Sequence, residues 1–379
     1  MKRVYLDNAA TTPLRKEVSD VMMAVLTNTY GNPSSSHAFG RSAKAVLESC
    51  RKQVASFFNI SPAEIIFTSG GTEANNLILQ SAVKNLGVRH LITSRVEHHA
   101  VLHTVEALAI SEGIKVSYVD LINGAVNLEH LETLLQTQER TLVSLMHVNN
   151  ETGTVLNIDR VGAMCKEYGA WFHSDTVQSI GHFNLDLQKL PIDFITASAH
   201  KFHGPKGIGF VFVRKNSGVQ PILFGGEQER GLRPGTEALH DIAGMTEALK
   251  LAIDAMNKEH EYIQGLKTYF VESLKRAIPE VVFNANSDTV GKTTATILNV
   301  RFPKLKSKGE MLQFQLDLKG IAVSRGSACQ SGSAQVSHVL KEILTADELQ
   351  QPSLRFSFSI FNTKDDVDYT IDVLKALAS

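Results

Sequence analysis

Residues 65–86 read Ile-Ile-Phe-Thr-Ser-Gly-Gly-Thr-Glu-Ala-Asn-Asn-Leu-Ile-Leu-Gln-Ser-Ala-Val-Lys-Asn-Leu, and this stretch decides the fold class. The short apolar run at its start predicts a strand over Ile65 to Thr68. A glycine pair follows, and apolar residues then recur at helical spacing over Thr72 to Leu86. A strand that passes through a tight turn into a helix is the repeating unit of parallel sheets.

The same alternation continues along the chain from about Glu64 to Val213. Apolar, β-branched runs predict six further strands, over His90 to Thr93, Lys115 to Val119, Thr141 to Val148, Trp171 to Ser174, Asp193 to Thr196 and Gly209 to Val213. Helical spacing between them predicts helices over Ala100 to Ser111, Leu128 to Leu135 and Val161 to Tyr168. The predicted fold class is therefore α/β, with a mostly parallel central sheet.

The pattern changes beyond this sheet. A long helical pattern with room for one break runs from roughly Glu237 to Ile278, and after Pro279 strands and helices alternate irregularly up to a last helix from Lys364. A chain of 379 residues is long for one domain. We expect a large domain over residues 14–255 and a smaller α+β domain formed by residues 1–13 and 256–379.

Composition excludes several classes of protein. Hydrophobic residues make up 43% and charged residues 20% of the chain, a balance that excludes a disordered or fibrous protein. Lys plus Arg number 38 against 39 for Asp plus Glu, so direct binding to nucleic acid or membrane is disfavoured. No apolar run is long enough to span a bilayer, and no signal-peptide core follows Lys2 and Arg3. These features predict a reducing, cytoplasmic location.

The three cysteines are Cys50, Cys165 and Cys329, which lie far apart and form no CxxC pair. This spacing disfavours a disulfide scaffold or a cysteine-based zinc module. Cys50 and Cys165 lie on predicted helices with apolar neighbours and are expected to be structural. Cys329 lies instead among the small and polar residues of 324–333, which predicts an exposed, mobile loop whose thiolate could attack a substrate.

Three stretches place polar side chains where ligands of α/β sheets bind, at the carboxyl edge. The glycine pair before Thr72 offers free N–H groups to an anion, although an ordinary βα turn explains it equally well. Lys201 follows an apolar strand and could act as a Schiff-base lysine, although most turn lysines are merely solvated. Asp175 ends another strand and could pair with a protonated pyridine nitrogen, or simply cap a helix.

Histidines follow Glu97 at the start of a predicted helix. His99 and His103 have the i, i+4 spacing of a metal pair, but no third ligand accompanies them, so no metal site is predicted. The preferred interpretation is that a histidine here stacks on a flat cofactor; a plain surface histidine is the alternative.

These motifs, in this order, resemble the cysteine desulfurases of the NifS and IscS type. They belong to the class V aminotransferase family of fold-type I pyridoxal phosphate enzymes. Further motifs that carry the resemblance are Tyr5-Leu-Asp-Asn-Ala-Ala-Thr-Thr-Pro13, Gly31-Asn-Pro-Ser-Ser-Ser-His37, Asn149-Asn-Glu-Thr-Gly153, Arg233-Pro-Gly-Thr-Glu237 and Ser353-Leu-Arg-Phe-Ser357. The likeness covers nearly the whole chain and extends to the long Cys329 loop of the first desulfurase group.

The resemblance implies a set of roles. Lys201 would hold pyridoxal 5'-phosphate covalently and move a proton from the substrate, His98 would stack on the ring and assist proton transfer, and Cys329 would be the nucleophile. Asp175 would pair with the pyridine nitrogen and Gln178 with the ring oxygen. The phosphate would be bound by Gly71, Thr72, Ser198 and His200. In a homodimer, Thr236 of the partner subunit would also bind it. Asn149 and Arg355 would bind the substrate, with Arg355 on its carboxylate.

The implied function is conversion of L-cysteine to L-alanine, with the sulfur transferred to Cys329 as a persulfide. Sulfur-acceptor proteins would follow, either an iron–sulfur scaffold or proteins of tRNA or cofactor thiolation. Two alternatives share the cofactor site, a selenocysteine lyase and a cysteine sulfinate desulfinase. A third, of another class, is a non-catalytic scaffold of a sulfur-assembly complex.

Overall fold

The computed structural model describes residues 2–309, 311–326 and 337–378. The helices within those ranges are α1 (Lys16–Asn28), α2 (Ala38–Phe57), α3 (Gly71–Lys84), α4 (His99–Glu112), α5 (Leu128–Leu135), α6 (Ile158–Glu167), α7 (Leu239–Asp254), α8 (Met256–Ala277), α9 (Met311–Leu318), α10 (His338–Ile343), α11 (Ala346–Leu349) and α12 (Lys364–Ala378). None of these helices combines the length and the apolar character that a membrane crossing requires.

The strands of the same ranges are β1 (Val4–Tyr5), β2 (Ile65–Thr68), β3 (His90–Thr93), β4 (Lys115–Tyr118), β5 (Leu121–Ile122), β6 (Ala125–Val126), β7 (Thr141–Ser144), β8 (Trp171–Asp175), β9 (Phe194–Ser198), β10 (Gly209–Val213), β11 (Val282–Phe283), β12 (Ile297–Arg301), β13 (Ile321–Ala322) and β14 (Ser353–Ser357). Seven of them form one sheet in the order β2-β10-β9-β8-β7-β3-β4. Only β10 runs antiparallel to its neighbours. The seven strands predicted from the sequence all lie in this sheet, so the predicted α/β class is confirmed.

The sheet is covered by helices on both faces, as its nearly continuous apolar strands require. One buried cluster packs residues of α2, α6 and α7 against the strands, and a second packs α3 and α4 against them. Helices α3 and α4 have clear starting signals. His98 caps α4, and Gly70 precedes α3 with a φ of 143°. The carboxyl ends of the strands therefore face the amino ends of helices.

Gly209 brings two of these strand ends together. It pairs with Thr68 of β2 on one side and with Ser198 of β9 on the other. A Cβ atom at this position would lie 2.1 Å from the Ala197 carbonyl oxygen and 2.9 Å from the Gly70 Cα, so no side chain fits. The glycine thus allows the turn after β2 to approach Ser198 closely.

A second core surrounds a three-stranded antiparallel sheet in the order β11-β12-β14. Helices α8 and α12 pack on it, and the amino-terminal strand β1 pairs with β13 next to it. The long helical pattern of the sequence is indeed broken once, at Ala255 between α7 and α8. Arg355 lies on β14, and this strand carries it to the edge of the large sheet.

Candidate active site

A cavity of about 410 Å³ opens at the carboxyl edge of the large sheet. Its volume lies within the range of about 300–1,000 Å³ that is usual for small-molecule sites. The residues that line it are Ala9, Ala10, Thr11, Ser69, Gly70, Gly71, Thr72, Glu73, Asn75, His98, Met146, Val148, Asn150, Asp175, Val177, Gln178, Ser198, His200, Lys201, Lys206, Gly207 and Arg355. Most of the side chains predicted from the sequence therefore meet in one place.

The glycine turn forms one wall of the cavity. Gly70 caps α3 and Gly71 is its first residue, so this wall holds the helix end whose N–H groups and positive dipole attract an anion. A Cβ atom on Gly71 would lie 2.7 Å from Val177 Cγ2, so a side chain there would crowd the wall. Ser198 adds a hydroxyl next to this turn, since its Oγ lies 3.3 Å from the Cβ position of Gly70. This wall suits a phosphate group.

His200 lies beside this wall and is held by the amino-terminal segment. Its Nδ1 lies 3.2 Å from Thr11 Oγ1, and its carbonyl accepts from the Thr12 N–H at 2.9 Å. Burial, together with the positive charges of Lys201 and Lys206, lowers the pKa of His200 to about 4. The imidazole is therefore neutral at physiological pH.

Lys201 extends into the cavity from the short turn after β9. Its Nζ donates to the carbonyl oxygens of Ala9 at 2.5 Å and Ala10 at 2.9 Å. The Ala9 carbonyl also accepts from Gln178 Nε2 at 2.9 Å. The amino-terminal segment thus supplies acceptors that orient the lysine and the glutamine, a role that was not predicted for residues 9–12.

Asp175, at the end of β8, has both carboxylate oxygens bonded. Its Oδ2 accepts from Asn75 Nδ2 at 2.7 Å and its Oδ1 from the Val177 N–H at 3.0 Å. The Oδ1 of Asn75 in turn accepts from Thr196 Oγ1 at 3.0 Å. Asn75 is buried one turn into α3, and its part in orienting the acid was missed from the sequence because its partner lies 100 positions away.

His98 lines the cavity at the amino end of α4. Its Nδ1 accepts from the Ala100 N–H at 3.1 Å, which leaves the proton of the neutral ring on Nε2. Burial lowers the pKa of His98; Asp175 opposes this shift, and Lys201 adds to it. The ring is therefore a neutral imidazole with a defined tautomer.

The neighbouring Glu97 is a buried acid that the sequence did not single out. Its Oε1 accepts from Ser94 Oγ at 3.0 Å and from the Met146 N–H at 2.9 Å. Burial, and to a lesser extent the charge of Asp175, raises the pKa of Glu97 to about 8. This carboxyl group is mostly protonated at neutral pH and adds no charge behind the site.

Arg355 reaches the cavity from the smaller sheet and is 1% exposed. Its Nη1 donates to the Asn150 carbonyl at 2.7 Å, and its Nη2 donates to Asp7 Oδ1 at 2.9 Å. The buried Asn150 lines the cavity, and its Oδ1 has no protein partner among the described residues. A buried cation beside an unpaired amide oxygen provides a place for an amino acid carboxylate and amine.

Two of the predicted residues that the structure describes, Asn149 and Thr236, do not line this cavity. Asn149 holds its own loop: its Oδ1 accepts from the N–H groups of Glu151 and Thr152 at 2.9 Å, and its Nδ2 donates to the Val96 carbonyl at 2.9 Å. Thr236 is exposed and does not line the cavity of its own chain. Cys329 lies outside the described residues. The predicted roles of all three remain predictions.

The other cysteines and the histidine pair have simpler surroundings. Cys50 and Cys165 are free and buried, and burial raises the pKa of both thiols. The rings of His99 and His103 stack with their centroids 4.7 Å apart. Within the described ranges no group of three or more His, Cys, Asp or Glu residues could hold a metal ion.

The donor set suits pyridoxal phosphate. An amine for the aldehyde, a fixed carboxylate for the pyridine nitrogen and a helix amino end for the phosphate all face one cavity. The carboxylate oxygens of Asp175 are bonded by amide groups and by no cation in the described structure, so the acid can pair with a protonated ring.

Comparison with known proteins identifies the family. Residues 4–370 match the model of Aminotransferase class-V. Cysteine desulfurase IscS of Dictyoglomus turgidum is 41% identical over 384 residues, which cover 100% of this chain and 95% of that protein. Cysteine desulfurase IscS of Clostridium botulinum is 40% identical, over 98% of this chain and 94% of its own. A solved NifS-like protein is 34% identical, with a TM-score of 0.91 and 99% coverage of both chains.

The chain therefore belongs to the class V aminotransferases, which are pyridoxal phosphate enzymes. Within that family it is a cysteine desulfurase. The family, fold class, cofactor and enzyme class predicted from the sequence are confirmed.

Proposed function

We propose that this desulfurase transfers the sulfur of L-cysteine to Cys329, with Lys201, Asp175, His98 and Arg355 as the groups that carry the reaction. One observation supports the proposal above the others. The Lys201 amine, the Asp175 carboxylate and the amino end of α3 line one cavity, together with Arg355 from the other sheet. The buried guanidinium offers the substrate carboxylate a charged partner beside the cofactor groups.

The contacts of these residues support the proposed roles. Bound pyridoxal phosphate withdraws electrons from the substrate carbons. Asp175 would accept a hydrogen bond from a protonated pyridine nitrogen, because its oxygens are already oriented by Asn75 and the Val177 N–H. Lys201 moves a proton from the substrate Cα once its amine is released, and the Ala9 and Ala10 carbonyls hold that amine nearby. His98 would donate a proton from Nε2, because its Nδ1 accepts a hydrogen bond from the Ala100 N–H.

The sulfur transfer needs no reactant other than cysteine and the enzyme thiol. The Cβ–Sγ bond of the substrate breaks, and the substrate sulfur forms a bond with Cys329 Sγ. The thiol proton and the proton from Cα remain with the product, so that cysteine plus the enzyme thiol gives alanine plus the enzyme persulfide. A thiolate is the attacking form, as for other nucleophilic cysteines.

A homodimer is part of the proposal. Large apolar side chains are exposed on the described surface, including Tyr30 at 70%, Phe39 at 59% and Phe224 at 91%. The rings of Tyr30 and Phe39 stack with centroids 5.5 Å apart, which makes a continuous apolar patch of the kind that partners cover. Thr236, exposed and outside its own cavity, would then reach the partner's phosphate. Light scattering should report twice the chain mass of 41.5 kDa.

The persulfide sulfur then passes to an acceptor protein, either an iron–sulfur scaffold or a thiolation protein. We place this activity in the reducing cytoplasm, because two of the three cysteines, Cys50 and Cys165, are free thiols. The chain has a near-neutral charge, which disfavours direct binding to nucleic acid, so any transfer to RNA would pass through an acceptor protein.

Mass spectrometry after brief incubation with L-cysteine tests the proposal. We expect one added sulfur on the peptide that contains Cys329, together with release of alanine. The buried Cys50 and Cys165 should remain unmodified, because burial raises the pKa of both thiols and hides them from the substrate.

Three variants sharpen this experiment. Lys201→Ala should lose the covalent cofactor absorbance and form no persulfide, and Cys165→Ala serves as the matched cysteine control with an unchanged yield. Normal alanine release by Cys329→Ala would contradict the proposal and favour a lyase that does not need this thiol.

A further inference from the structure

Gly326 and Ser337, which stand before and after Cys329 in the sequence, both lie against the side chain of Glu151. Ser337 Oγ donates to Glu151 Oε2 at 2.5 Å. A Cβ atom on Gly326 would lie 3.2 Å from the same Oε2 and 3.2 Å from Ser337 Cβ. Gly326 and Ser337 therefore both lie near one carboxylate oxygen, and the absence of a side chain at 326 permits that approach.

Glu151 is itself held firmly. It is fully buried, its N–H donates to Asn149 Oδ1 at 2.9 Å, and its carbonyl accepts from Asn299 Nδ2 at 3.0 Å. The preceding carbonyl, of Asn150, accepts from Arg355 Nη1 at 2.7 Å. The backbone of this loop is thus bonded to both β12 and β14. A carboxylate on so fixed a backbone can orient whatever it binds.

Ser337 and the next residue, His338, each make one additional contact. Ser337 Oγ accepts from the Leu340 N–H at 3.1 Å and so caps α10. His338 Nε2 donates to the Glu97 carbonyl at 2.9 Å, directly beside His98. The bond to Glu151 therefore holds the capping residue of α10, and with it the position at which the chain enters this helix.

We propose that Glu151 is a positioning residue for sulfur transfer, because its carboxylate binds Ser337 and lies against Gly326, the residues on either side of the sequence that contains Cys329. Glu151 does not line the cavity. The inference rests on the proposed role of Cys329 and adds a group that holds the chain at Ser337, eight positions after this cysteine. Since a misplacement of about 1 Å can slow a reaction about a hundredfold, such a contact affects the transfer step.

Single-turnover kinetics test this inference with Glu151→Gln and Ser337→Ala. The first variant removes the charge of the acceptor, and the second removes the donor. We expect persulfide formation on Cys329 to slow about tenfold or more in each, with the affinity for L-cysteine, read from the cofactor absorbance, changed less than about twofold. The double variant should be no slower than the slower single variant, because both remove the same bond.

Thr345→Ala is the matched control, because Thr345 caps the nearby α11 through its side chain but does not contact Glu151. It should form persulfide at the normal rate, which separates loss of the Glu151 bond from loss of a helix cap. Circular dichroism identifies a variant that fails to fold, in which case the other single variant decides.

Normal rates in a folded Glu151→Gln or Ser337→Ala protein would overturn the inference, as would effects that multiply in the double variant. Failure of the proposed function looks different, because the unsubstituted protein would then form no persulfide on Cys329.

Discussion

Asp7 joins two parts of the site with a single oxygen atom. Its Oδ1 accepts from Arg355 Nη2 at 2.9 Å and from Ser324 Oγ at 2.8 Å. Ser324 also exchanges two backbone hydrogen bonds with Arg355. Because Arg355 is 1% exposed, Asp7 supplies the counter-charge of a buried cation.

We predict that Asp7→Asn lowers the free energy of unfolding by about 2 kcal/mol, since hydrogen bonds to charged groups contribute about 1.5–3 kcal/mol. Urea unfolding measures this change. Asp20→Asn is the matched control, because the Lys16–Asp20 pair is exposed and should cost about 0.5 kcal/mol or less. Equal, small effects of the two substitutions would contradict the interpretation of Asp7 as a buried counter-charge.

Residues at strand ends could be predicted from the sequence, and residues that act through distant partners could not. Lys201 and Asp175 each follow an apolar strand, so the sheet edge was their expected place. Asp7 and Arg355 are 348 positions apart, and no local pattern indicates that they meet. The same holds for Asn75, whose bond to Asp175 depends on the packing of α3 against β8 and β9.

At the scale of elements, two helix glycines show how packing decides the effect of a side chain. Gly265 lies within α8, and a Cβ atom there would meet no atom within 4 Å. Gly162 lies within α6, where the same atom would lie 2.5 Å from the Pro191 carbonyl oxygen. Both glycines have helical backbone, so the surroundings alone distinguish them.

We predict that Gly265→Ala raises the free energy of unfolding by about 0.5–1 kcal/mol, because alanine loses less conformational freedom in a helix. Gly162→Ala should instead lower it by about 1–3 kcal/mol, since the backbone carbonyl must move. Chemical denaturation of the two variants gives both values. Destabilisation by Gly265→Ala would mean that α8 packs against something beyond the described chain, such as a partner subunit.

Helices and strands could be predicted where their apolar side chains form a run or recur at a regular spacing in the sequence. The seven strands of the large sheet carry apolar runs, and all were found, although β7 ends at Ser144 rather than Val148 and β9 extends to Ser198. The two-residue strand β1 was not predicted. Its pairing with β13 is a tertiary contact between distant parts of the sequence, and two residues are too few to show a pattern.

At the scale of the whole molecule, the site depends on contacts between the two sheets. Thr294, just before β12, donates its N–H to the Gly153 carbonyl at 2.8 Å, in the loop that carries Asn150 and Glu151. Its own carbonyl accepts from Lys267 Nζ of α8 at 2.7 Å, and Thr293 Oγ1 accepts from the same amine at 3.1 Å. A buried lysine therefore supports the junction.

The stability of this junction should depend on pH. Burial lowers the pKa of Lys267 from 10.5 to about 7, against the opposing influence of Asp288. Between these two values the unfolded chain binds a proton that the folded chain does not, so the free energy of unfolding gains a contribution that increases with pH. That contribution is complete above the unfolded pKa and is lost as the pH falls toward about 7.

Lys267→Met isolates this contribution, because it keeps a long side chain without a titrating group. Urea unfolding at pH 7, 8 and 9 gives the free energy of unfolding of both proteins. The value for the unsubstituted protein minus that for the variant should increase by roughly 1 kcal/mol for each pH unit. Lys250→Met, which removes a more exposed lysine on α7, should show no such trend. If the difference between the unsubstituted protein and Lys267→Met stayed constant from pH 7 to 9, Lys267 would be charged in the folded state. The junction would then hold a buried ammonium on neutral oxygens.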